Sequence, residues 1–216
     1  MDGINMSDEK KNGSFVRVEM NRHINAPVHK VFPLACPVME YKWIPGWKCE
    51  LIHCPNGHVE LGTIFKEISS SPILADSIAE RTTWTAVLYE PDSYRVHYRL
   101  DNRISSSLYK LEFEESISGG TNMRLEMAYT SLDGMGGYEV KKWREAKLKL
   151  MLSILSLMLT HYCEHGEIIE TSEVKKLVLQ VNELTFKDRI RLLLNKLVKR
   201  FMKDEDRIKF LRIERL

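Results

Sequence analysis

The chain predicts an α+β fold: a curved antiparallel sheet of about seven strands wrapped around a long C-terminal helix. Two short helices follow the first strand, and a helical extension follows the long helix. Three observations carry this expectation. Residues 24–67 read as the end of a strand, two short helices and a hairpin. Four later segments alternate apolar and polar residues with a period of two, the mark of antiparallel strands with one apolar and one wet face. From Tyr138 to about His165 the chain then has the length and periodicity of a helix of seven or more turns.

The first strand, 15–24, sets Val16, Val18, Met20 and Ile24 against Arg17, Glu19 and His23. Pro27 starts a helix, because its missing N–H falls where a first turn has no use for one. Pro33 and Pro37 interrupt that helix, so residues 28–36 cannot form one rod. Trp43-Ile44-Pro45-Gly46-Trp47 is a turn between two tryptophans, and Pro55-Asn56-Gly57 joins strands expected at 48–54 and 61–68. Strand 82–90 places Trp84, Ala86 and Leu88 on one face; strand 94–100 sets Tyr94, Val96, Tyr98 and Leu100 against Arg95, His97 and Arg99. Strand 107–115 sets Tyr109, Leu111 and Phe113 against Lys110, Glu112 and Glu114, and strand 122–132 sets Met123, Leu125, Met127 and Tyr129 against Arg124 and Glu126. Residues 90–93 and 118–121 are hairpin turns. The long helix begins amphipathic and is apolar nearly all round over 151–159, as a buried helix is, and Gly166 stops it.

Composition bounds the rest. With 216 residues, 44% hydrophobic and 29% charged, the chain suits one ordinary domain plus an extension. A net charge of +2 gives no reason to expect a nucleic-acid partner. Residues 1–13 are polar, lack the apolar stretch of a signal peptide and read as a disordered tail. The longest apolar run, 148–160, contains Lys149 and is too short to span a bilayer. Four cysteines without a secretory context read as free thiols, so the expected location is the cytoplasm, with peripheral membrane contact as a second expectation.

The element order, Ile24-Asn25-Ala26-Pro27, Trp43-Ile44-Pro45-Gly46-Trp47 and Glu60-Leu61-Gly62-Thr63-Ile64-Phe65 together resemble the START/SRPBCC superfamily, in particular its polyketide-cyclase/dehydrase-like bacterial subgroup. The resemblance covers residues 14–166 and implies the helix-grip fold. It also implies a small apolar or lipid-like molecule held between the sheet and the long helix, by a carrier or sensor that is not an enzyme. Cyclase or dehydratase activity is the alternative, since the superfamily includes aromatase/cyclases beside lipid carriers. Fold alone does not choose between them.

The inward strand faces supply the candidate ligand contacts: Trp84, Tyr94, Tyr98, Tyr109, Phe113, Met123, Met127 and Tyr129. From the long helix Trp143, Met151, Leu155 and Met158 face them. Methionines adapt their shape and tyrosines orient a polar end, although the same stripe equally describes a closed core. Acid–base candidates are His53, Glu67 and Tyr98. His53 shares parity with Cys49 and Leu51 and is expected inward; Glu67 shares parity with Phe65 and is expected to be a buried carboxylate with a raised pKa. His97 belongs to the outer face.

No cofactor and no metal are expected. Cys49, His53, Cys54 and His58 lack a standard zinc spacing, and His161 and His165 suit the last turn of a helix as dipole partners. Residues 167–216 form the extension, within which 185–203 combine an apolar stripe (Phe186, Ile190, Leu193, Leu197, Phe201) with the most basic stretch of the chain. Such a stripe packs on its own domain or on a second copy of the chain as a homodimer, or docks on an anionic membrane or a protein partner.

Overall fold

The structure, a computed structural model, describes residues 15–68, 82–103, 105–132, 138–170 and 173, with the side chains of the long helix described from residue 144. The chain divides into two compact units, residues 1–178 and 179–216, and every described residue belongs to the first. The expected tail 1–13 and the basic stripe 185–203 lie outside the described residues.

Seven strands form one antiparallel sheet: β1 (Phe15–Ile24), β2 (Cys49–His53), β3 (Ile64–Glu67), β4 (Thr83–Glu90), β5 (Arg95–Asp101), β6 (Ser105–Glu115) and β7 (Thr121–Ser131). Their order across the sheet is β1-β7-β6-β5-β4-β3-β2. The first two strands in sequence are therefore the two edges, and the chain crosses the whole sheet between them. It does so through α1 (Val28–Val31), a 3-10 turn (Phe32–Ala35) and α2 (Pro37–Glu40), the broken helical path that Pro33 and Pro37 dictate. Both tryptophans of the following turn tie it back: Trp43 Nε1 donates to the Leu34 carbonyl at 2.9 Å and Trp47 Nε1 to the Pro37 carbonyl at 3.0 Å.

The helix α3 (Tyr138–His165) packs on β1 and β7, burying Leu152, Leu155, Met158 and Leu159. The Arg22 guanidinium, on the inward side of β1, donates to Ser156 Oγ at 2.9 Å, so a polar pair sits inside the helix–sheet contact. Gly166 adopts a left-handed φ of 75° and its N–H closes the helix on the Tyr162 carbonyl. Glu164 accepts from the Asn25 backbone N–H at 2.9 Å, fixing the end of α3 to the start of the crossing. Among the described residues no helix is long and apolar enough to cross a membrane.

Three details differ from the sequence expectation. Strand β4 carries a bulge: Ala86 pairs with Tyr98, but Leu88 pairs with His97 and Tyr89 with Val96. The extra residue, Val87, is exposed, and beyond it the parity flips, so that Tyr89 rather than Leu88 turns inward. Strand β3 starts later than expected because Gly62 forms a second turn, with φ 85°, and its N–H pairs with the Ala86 carbonyl. Tyr94 precedes β5 in a left-handed conformation, φ 52°, closing the turn Pro91–Ser93.

Candidate functional site

The concave face of the sheet gathers its aromatic rings into two groups. In the first, Trp84 of β4 stacks on Phe65 of β3 at 5.3 Å between centroids and meets Trp47, Tyr98 and Tyr109 edge-on at 5.9–6.2 Å. In the second, Phe32 of the crossing segment contacts Tyr89, Tyr94 and Phe113 at 5.7–6.1 Å. The crossing segment thus lies over β4, β5 and β6 while α3 lies over β1 and β7.

Of the expected ligand contacts, Trp84, Tyr98, Tyr109, Phe113, Met123 and Met127 are buried on the sheet, and Leu155 and Met158 on α3. Tyr94, Tyr129 and Met151 are half-buried, and the Arg144 guanidinium lies 5.3 Å from the centre of the Tyr129 ring. The Trp143 side chain lies outside the described residues. The sequence reading missed Phe32, Trp47, Phe65 and Tyr89, which complete the two aromatic groups. Phe65 was recoverable from its parity with Glu67, whereas Tyr89 was hidden by the bulge.

The three acid–base candidates occupy three different environments. His53 is exposed: it ends an edge strand that has its own bulge between Leu51 and His53, and none of the described residues covers it. The inward expectation for His53 is corrected on that ground. Tyr98 is fully buried, its hydroxyl donating to the Ala35 carbonyl at 3.4 Å, and burial pushes its pKa well up. Glu67 turns inward and accepts from Trp84 Nε1 at 3.3 Å; burial raises its pKa to about 7 against a partly opposing effect of that hydrogen bond.

A further carboxylate completes this group. Glu40, the last residue of α2, is only 4% exposed. Burial first, and then the negative charge of Glu67, raise its pKa well above the ordinary value. Its backbone carbonyl is engaged by the N–H groups of Trp43 and Ile44, which fixes its position. Around it Cys36 is pushed up to about 11 and Cys49 upward, both chiefly by burial and both raised further by the negative charge of Glu40. Nothing in the local sequence marks Glu40, since its partner comes from β3. Among the described residues no group of three or more His, Cys, Asp or Glu side chains is arranged to hold a metal ion. Chemically, the site offers one carboxyl group, Glu67, able to hold or release a proton near neutral pH beside the Trp84 indole, and a second, Glu40, whose pKa burial raises well above the ordinary value.

A family model described as polyketide cyclase/dehydrase and lipid transport matches residues 16–155. Among solved structures, ginseng major latex-like protein 151 from Panax ginseng is similar over 70% of this chain and 99% of its own, with 12% identity and a TM-score of 0.55. Ara h 8.0201 is similar over 69% of this chain and 98% of its own, with 16% identity and a TM-score of 0.50. At such identities the likeness shows the fold. No match was found among curated proteins.

Proposed function

Because the chain belongs to the polyketide cyclase/dehydrase and lipid transport family, within the START/SRPBCC superfamily, we propose that it binds a small hydrophobic or lipid-like molecule between the concave sheet face and α3, as a non-enzymatic carrier or sensor. The observation that carries this reading is the concentration of large, shape-adaptable rings and methionines on that one face, several of them with a hydroxyl or indole N–H to orient a polar end. Native mass spectrometry of gently purified protein, followed by denaturing extraction, tests it. A co-purifying apolar molecule supports the reading. A chain that retains nothing and fails to take up a neutral dye such as Nile red overturns it.

The carboxyl groups favour one second reading, a cyclase or dehydratase in which Glu67 moves a proton during enolisation. A group whose pKa stands at about 7 is suited to both accept and donate at neutral pH. Tyr98, with its pKa pushed up, and exposed His53 are poorly placed for the same work. A turnover that survives E67Q unchanged disposes of this reading.

A further inference from the structure

We draw no further inference here: the strongest candidate, the polar groove across β1, β7 and β6 lined by Asn21, His23, Glu112, Glu114, Asn122 and Arg124, has Glu112 and Arg124 already engaged by His97, by Glu19 and by each other, and nothing in the structure shows what covers it.

Discussion

The indole N–H of Trp84 donates to the Glu67 carboxylate at 3.3 Å, across the β3–β4 pairing, and joins the aromatic group to a carboxyl whose pKa burial raises to about 7. Trp84 neutralises nothing. It orients a carboxyl that burial has made reluctant to ionise.

Stability should therefore fall as pH rises through neutrality. The folded pKa of Glu67, about 7, lies above the ordinary value of 4.5, so its contribution is full below 4.5 and is lost as pH climbs through 7. Glu40 acts in the same direction. E67Q should remove much of that slope and stabilise the protein at pH 8 by about 2–3 kcal/mol, measured by urea denaturation across pH 5–8.

Glu126 should show the opposite sign. Burial raises its pKa, but hydrogen bonds from Lys110 and Arg17 outweigh this and hold it below the ordinary range. Its stabilisation is present above the ordinary carboxylate pKa and lost as pH falls through the folded one. Glu126→Ala leaves Arg17, Lys110 and Arg124 facing one another, and it should cost about 2 kcal/mol after allowance for the partly exposed arginines. Added salt at about 1 M should narrow the gap between variant and parent.

Trp47→Phe keeps the ring but leaves the Pro37 carbonyl without its donor. A loss of about 1–3 kcal/mol is expected in thermal or urea unfolding. An unchanged midpoint would show that the Trp47 hydrogen bond does not hold the crossing segment down.

Two adjacent glycines should respond differently to alanine. Both hold left-handed φ values, 89° at Gly119 and 80° at Gly120. A Cβ at Gly119 meets open space, whereas one at Gly120 would stand 2.5 Å from the Ile24 carbonyl oxygen, a backbone atom that cannot swing aside. Gly119→Ala should cost about 1 kcal/mol and Gly120→Ala clearly more, about 3 kcal/mol, by denaturant midpoint.

Much of the architecture was legible because alternation is a local property. Val16 and Val18 against Arg17 and Glu19, or Tyr109 and Leu111 against Lys110 and Glu112, announce a face without reference to any partner. The bulge at Val87 was not legible, since one extra residue becomes visible only against the strand it fails to match, here His97 and Tyr98 of β5. His53 was misplaced for the same reason: parity presumes a regular ladder, and an edge strand with a bulge breaks it. Glu67 could be found by its parity with Phe65, but Glu40 sits in a four-residue helix too short to show a face. Its meaning comes from a carboxylate on β3, and no pattern within α2 reports that. The inward candidates of the strands share the concave face of the sheet, but the reading leaves out rings such as Phe32 and Trp47, which lie in short irregular pieces without a period.

The pairing of β1 with β7 has a consequence during synthesis. These strands align Phe15 with Thr130 and Ile24 with Thr121, so the first strand made waits for the last one. Arg17 and Glu126, which meet across that seam, stand 109 residues apart in the chain. At elongation rates of about 5–20 residues per second, β1 spends roughly 5–20 s outside the ribosome with its ladder unfilled. Contacts this distant in sequence also slow the search for the native state. The meander from β2 to β6 has its own ladders and needs no contact with β1, whereas β1 has its pairing only once β7 is made and its apolar side covered only once α3 follows.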